Sequence, residues 1–186
     1  MDEVLSRIPH LLAARYPLLW IVSPEEERVE RGLERVGQAA GIAVYRWRRT
    51  VGLQRPNGEP VPATESPLAL LAAIPAVEGS AVFVLADFHD ALGEPGVVRR
   101  LRDLERELGA KKQAILVLSH LLAVPPELEK DFAVLDVPLP NRKEVGRLLA
   151  VLAQARKIEI ERDLFEQFVT ASLGLTEKEI KRAYAR

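Results

Sequence analysis

Five short apolar runs constrain this chain more than anything else in it. They lie at residues 18–23 (LLWIVS), 42–47 (IAVYRW), 81–86 (AVFVLA), 114–119 (AILVLS) and 132–137 (FAVLDV). Strands that are apolar on both faces must be covered on both faces, and helices are the usual cover. Amphipathic stretches stand between them. Residues 25–40 place Val29, Leu33, Val36 and Ala40 along one face, and residues 97–108 do the same with Val97, Leu101, Leu104 and Leu108. Strand and helix in alternation predict a five-stranded parallel sheet with helices on both sides. The fold class is α/β, Rossmannoid.

The flanking segments are less regular. Residues 1–15 read as a short helix interrupted at Pro9, with Val4, Leu5, Ile8, Leu11 and Leu12 on one side. Residues 49–65 hold two Gly, three Pro and an Asn-Gly pair, the signature of a long exposed loop or a hairpin. Ser66 caps a short helix, PLALLAAI. After Pro138-Leu139-Pro140 the strands stop. Residues 141–154, 163–173 and 176 onward read as three helices, with capping-box spacing at Asn141/Glu144 and Thr176/Glu179 and a closing Gly174. Two domains are expected, 1–140 and a helical lid at 141–186. The last helix reaches Arg186 without a stop signal, so the lid reads as truncated.

Composition excludes several function classes. The 186 residues carry 26 Lys+Arg against 27 Asp+Glu, a net charge of −1, which argues against a protein that works by neutralising phosphates. There is no Cys, so disulfide and thiolate chemistry are out. His10, His89 and His120 are scattered and give no metal-ligand spacing, so no metal is expected. No apolar run approaches ~18 residues and the start MDEVLS is no signal peptide, so no membrane partner and a cytoplasmic setting are expected. Thirteen Pro with one Met suggest a thermophile.

The element order resembles the AAA+ ATPase module, a nucleotide-binding α/β domain followed by a helical lid. VFVLADFHD stands where that family keeps its Walker B strand and ILVLSH where it keeps sensor 1; GLTEKEIKRAYA resembles the final lid helix. The runs RYPLLWIVSPEEERVE, VVRRLRDL and PPELEKDFAVLDVPLPNRKE are similar to the N-terminal region of the "hypothetical chloroplast frame" AAA+ ATPases of plastids and bacteria. In that group the region precedes a conventional core. The resemblance implies a front domain whose own downstream core binds ATP and Mg²⁺, hydrolyses ATP and assembles as a homo-oligomer.

The residues themselves argue against nucleotide chemistry in this chain. A P-loop needs Gly-x-x-x-x-Gly-Lys-Ser/Thr, so that backbone N–H groups and a Lys face the phosphates. Here the first strand runs straight into Ser23-Pro24-Glu25-Glu26-Glu27. Ser23 reads as N-cap, Pro24 as N1 and Glu26 as N3, a capping box that satisfies the helix start with its own side chains. Each first-turn carboxylate opposes a phosphate charge by about 4 kcal/mol at ~4 Å in an effective dielectric near 20. Asp87 stands at the Mg²⁺-side position of Walker B, but Phe88 replaces the water-activating Glu, and Asp87 reads as a strand-end turn residue. Ser119 matches the polar sensor-1 position and reads more simply as a turn residue. Near the family's arginine finger stands Lys130. Ser23, Glu26, Asp87 and Ser119 are therefore vestigial nucleotide-site positions.

One segment suggests a different ligand. Arg46, Trp47, Arg48, Arg49 and Arg55 interleave an aromatic with four cations, a pattern that could hold single-stranded nucleic acid. Against it stands a strand end with Trp47 in the core and the arginines in solvent, the reading favoured at net charge −1. His89 beside Asp87 and Asp90 could suggest a metal, but ordinary turn chemistry accounts for it, and no nucleophile–base pair is visible. The favoured reading is a non-catalytic AAA+-like domain without cofactor, serving contact with its own core or an unknown protein partner. A residual adenine-nucleotide sensor and a single-stranded nucleic-acid module are the alternatives.

Overall fold

The computed structural model describes residues 1–185. The chain opens with α1 (Asp2–Leu5) and α2 (Ile8–Ala13), then β1 (Leu18–Val22), α3 (Glu26–Ala40), β2 (Ala43–Arg48), β3 (Gly52–Gln54) and β4 (Pro60–Val61). It continues through α4 (Pro67–Ala73), β5 (Ala81–Ala86), α5 (Pro95–Lys111), β6 (Gln113–Ser119) and β7 (Phe132–Asp136). The helices α6 (Arg142–Ala155), α7 (Arg162–Ala171) and α8 (Glu177–Ala183) follow; α8 stops short of the expected run to Arg186, with Tyr184 as its C-cap, and Arg186 itself lies outside the described residues. The chain divides into two compact units, Asp2–Val137 and the residues from Pro138 onward together with Met1.

The sheet is where expectation needs correcting. It has seven strands rather than five and is mixed rather than parallel, in the order β4-β3-β2-β5-β6-β1-β7. The five apolar runs form the parallel part, and the two extra strands come from the loop-or-hairpin segment. β3 folds back antiparallel on β2 with Trp47 opposite Leu53, and β4 pairs with β3 through Leu53 and Val61. Leu53 is the reason: it is 1% exposed, and its burial beside Trp47 draws an otherwise polar segment into the sheet. Thr64 closes the turn-back, accepting from the Leu53 N–H at 2.8 Å and donating to the Val61 carbonyl at 2.7 Å.

Two helix starts also differ from expectation. The break in the N-terminal helix falls before Ile8 rather than at Pro9, because Pro9 occupies the first turn of α2, where no N–H is needed. In α3 the N-cap is Glu25, not Ser23, and no side chain caps the helix. Glu26 is the first helical residue rather than the third, so it cannot reach back to close a box. The Ser23 hydroxyl accepts instead from the Glu25 N–H at 3.2 Å, two residues on. α3 lies close on β2 at Gly37, where a Cβ would meet the Ile42 carbonyl and a Val44 methyl at 2.7 Å each.

One core cluster of the first unit runs along one face of the sheet. Trp20, Trp47, Phe83 and Phe88 are all buried, with Leu101, Leu104 and Leu108 of α5 in the same cluster. Trp20 meets Phe132 edge-on at 5.4 Å, and Trp47 meets Phe88 in the same way. In the second unit Val145, Leu149, Val169 and Ile180 form a small core, with Phe165, Phe168 and Tyr184 around it. Both expected capping boxes are present there, at Asn141/Glu144 and Thr176/Glu179. Among the described residues no helix is long and apolar enough to cross a membrane.

Candidate functional site

The carboxyl ends of parallel strands are where open α/β sheets present ligand-binding groups. β5, β6 and β1 are adjacent, so the residues that end them lie in a row. The Asp87 N–H donates to the Leu118 carbonyl and the Ser23 N–H donates to the Ser119 carbonyl, both at 2.9 Å. Three of the four positions singled out in the sequence, Ser23, Asp87 and Ser119, are thus brought together by the ladder itself. Glu26 is not among them. Its carboxylate accepts from the Arg48 guanidinium on β2, at 2.9 and 2.7 Å.

Over this row the chain places its own side chains. Ser119 is 2% exposed, and its hydroxyl lies 3.0 Å from His89 Nδ1 while accepting from the Leu121 N–H at 3.3 Å. His89 Nε2 lies 3.2 Å from an Asp90 carboxylate oxygen. His120 packs edge-on against the His89 ring at 5.7 Å, and an Asp87 oxygen is 3.9 Å from Nδ1 of each histidine. Asp87 itself adopts left-handed backbone, φ 51°, a conformation that Asp tolerates better than most residues. No group of three His, Cys, Asp or Glu among the described residues could hold a metal ion.

The turn from β1 into α3 leaves little space for phosphate. Only Ser23, Pro24 and Glu25 stand between Val22 and Glu26. A phosphate-binding loop needs several residues with their N–H groups turned to the ligand, and three residues ending in a helix N-cap supply no such loop. At the same turn the Glu25 carboxylate pairs with the Arg28 guanidinium, their side chains 4% and 6% exposed. A buried ion pair thus occupies the first turn of α3.

The arginine segment is also answered from within the chain. Glu26, Glu30 and Glu34 are spaced four apart on one face of α3, and Arg46 and Arg48 are two apart on one face of β2. Arg48 bonds Glu26 and reaches Glu30 at 2.9 and 3.0 Å. Arg46 pairs with Glu34 and lies 3.8 Å from Glu30. Burial pushes the Glu30 carboxyl above its usual range, against the pull of Arg48 and Arg46. Burial works to lower Arg48, but its bonds to Glu26 and the charge of Glu30 outweigh it and raise the guanidinium further. Trp47 is core, its indole N–H donating to the Thr64 carbonyl at 2.6 Å. Arg49 and Arg55 alone of the five residues are exposed.

Sequence reasoning misses three of these features. The Ser119–His89–Asp90 chain joins residues some thirty positions apart and has no motif. The Glu25–Arg28 pair has i, i+3 spacing, a signal present in the sequence. The Glu26-Glu30-Glu34 spacing against Arg46 and Arg48 is legible once α3 and β2 are recognised as neighbours.

The comparisons with known proteins agree with this architecture. The family model described as "SpoVK-like AAA ATPase, N-terminal domain" matches residues 4–137. The AAA domain-containing protein ycf46 of Guillardia theta is 30% identical over 179 residues, covering 95% of this chain and 35% of that protein. The protein of the same name in Trieres chinensis is 31% identical over 180 residues, covering 95% and 36%. The chain therefore spans about a third of the length of the curated relatives it matches. Among solved structures, a single-residue variant of RuvB from Thermotoga maritima superposes with a TM-score of 0.62 at 16% identity, covering all of this chain and 61% of that one. The replication initiator DnaA bound to AMPPCP and single-stranded DNA gives 0.61 at 11% identity, covering 98% and 58%. These structures establish the AAA+ fold.

Proposed function

We propose that this chain, which belongs to the SpoVK-like AAA ATPase N-terminal domain family, has a non-catalytic role in protein contact. The domain packs on a following ATPase core, shapes its oligomer or regulates it, and the ATP and Mg²⁺ chemistry resides in that core. The observation that carries this reading is the turn from β1 into α3, three residues long and occupied by the buried Glu25–Arg28 pair. The length of the curated relatives supports a further core. Assembly as a homo-oligomer in the cytoplasm belongs to the same proposal, and so does the division of labour between a sheet domain and a helical lid.

Residual adenine-nucleotide binding is the second reading, favoured by the convergence of Ser23, Asp87 and Ser119 at the carboxyl edge. Calorimetry with Mg-ATP separates the two. No heat is expected near ~1 mM nucleotide, where binding is worth only about 4 kcal/mol. Saturable binding in the micromolar range sinks the non-catalytic reading and promotes the second. The nucleic-acid reading loses support from the carboxylates that engage Arg46 and Arg48.

A further inference from the structure

At the carboxyl edge of the sheet the mostly buried ring of His89 stands between a hydroxyl and two carboxylates. Its Nε2 lies 3.2 Å from an Asp90 oxygen. An ionised carboxylate can only accept, so in the neutral ring Nε2 carries the proton and Nδ1 is left as an acceptor. Ser119 is then the donor. Its O–H points to Nδ1 at 3.0 Å, while its oxygen accepts from the Leu121 N–H at 3.3 Å. The Leu121 carbonyl in turn accepts from the indole N–H of the buried Trp20 at 3.1 Å. A chain of bonds thus runs from Asp90 through His89 and Ser119 to the loop at residues 119–122, and from that loop to Trp20.

The bond between Ser119 and His89 can exist in this direction only while the ring is neutral. A second proton turns Nδ1 into a donor. The buried Ser119 hydroxyl then loses its acceptor and has no other among the described residues, an arrangement that folded chains avoid. A better acceptor for the charged ring is close by. Asp87 Oδ1 is 3.9 Å from His89 Nδ1 and equally far from His120 Nδ1. The titratable groups facing His89 are therefore Asp87 and Asp90 from the turn after β5, and His120 from the loop after β6.

We propose that His89 is a proton-operated latch for the loop at residues 119–122. Neutral, it accepts from Ser119 and holds the loop; protonated, it turns Nδ1 to Asp87 and lets the loop go. The loop carries Leu121 and Leu122, both exposed. Acid therefore loosens an apolar surface that is held rigid at neutral pH.

The test is NMR of the whole chain, isotope-labelled, from about pH 8 to about pH 5, the interval in which histidine takes up its proton. At about pH 8 His89 should be a single tautomer with Nδ1 unprotonated, while the exposed His10 shows a mixture. In acid the protection of the Trp20 indole N–H, taken against the unfolded-chain exchange rate at the same pH, should fall by about tenfold. Trp47 is the control: its indole N–H donates to the Thr64 carbonyl, away from this loop, and should not respond. His89→Asn supplies a side-chain acceptor that cannot take up a proton, and should keep Trp20 protected across the range. Asp87→Asn removes the carboxylate to which Nδ1 turns and should cut the fall to less than about threefold. Asn tolerates the left-handed backbone at that position. The native chain alone can overturn the proposal, if neutral His89 carries its proton on Nδ1 or if Trp20 and Trp47 respond alike. A fall of full size in either variant would overturn it too, because the response would then belong to a different group.

Discussion

The first turn of α3 and the outer face of β2 both carry charges suited to a ligand, and both are answered by the chain itself. They differ in where the answer comes from. At the helix start, Glu25 finds Arg28 three residues away in the same turn, and both are buried. On β2, Arg46 and Arg48 find carboxylates 12 to 22 residues earlier, on a helix that must first pack against the strand. The local pair needs only the first turn of α3 for its contact and packing for its burial, whereas the longer-range ladder depends for the contact itself on the packing at Gly37. One site is thus filled by a contact between sequence neighbours and the other by a contact that only tertiary structure brings together.

Removing one member of the buried pair should have the largest effect. Arg28→Ala leaves the Glu25 carboxylate in a desolvated position without that guanidinium, at a cost of about 3 kcal/mol. Urea unfolding should show this as a lowered midpoint with an unchanged slope. Glu25→Leu combined with Arg28→Met should recover a large part of it, because neither charge is then buried. A single-variant loss below ~0.5 kcal/mol would mean that this pair is not what holds the Glu25 carboxylate in the turn.

Arg48→Ala should cost less, about 1 kcal/mol, because its side chain is 37% exposed and solvent screens the lost contacts. The loss should fall further with added salt, as the Arg28→Ala loss should not. Equal salt dependence in the two variants would erase the distinction between the buried pair and the partly exposed ladder.

What the sequence makes legible divides along the same line between local pattern and long-range packing. The apolar runs at β1, β2, β5, β6 and β7 and the capping boxes at Asn141 and Thr176 are written in local pattern, and they are present. The hairpin that adds β3 and β4 is ambiguous in sequence, because its one anchoring residue, Leu53, is surrounded by turn formers. At the candidate site the missing P-loop is readable as absent glycines and lysine. The side chains that cover Ser119 are not, since His89 and His120 follow the ends of two strands and meet only when β5 and β6 pair. Spacing alone gives Ser23 a capping role, yet α3 begins three residues later.

The pH dependence of the ladder is a smaller effect with a definite sign. Burial raises the Glu30 carboxyl in the folded chain. The associated stability is therefore fully present below the ordinary carboxylate range and is lost as pH rises through the folded value. Glu30→Gln cannot ionise and should gain on the native chain as pH rises across that window. Urea midpoints measured from about pH 4 to about pH 8 check it. A difference between the two chains that stays constant with pH would remove burial as the cause.

The smallest expected effect lies in the second unit, where a capping box supplies the same chemistry at a fully solvated position. The Glu179 carboxyl is held below its usual range, first by the Thr176 backbone N–H, which donates to it at 2.8 Å, and then by the Thr176 hydroxyl. A depressed carboxyl stabilises above its unfolded value and loses that contribution as pH falls through the folded one. The loss should be confined to the start of α8, because the box closes only that turn. In amide NMR, the Thr176 N–H resonance should titrate below the ordinary carboxylate range, while resonances in β5 stay still. Glu179→Gln should abolish the titration and keep the helix, since its amide oxygen can still accept from Thr176. If the Thr176 resonance instead follows an ordinary carboxylate curve, the box is open in solution, and α8 is held by Ile180 and the ring contact of Tyr184 with Phe168.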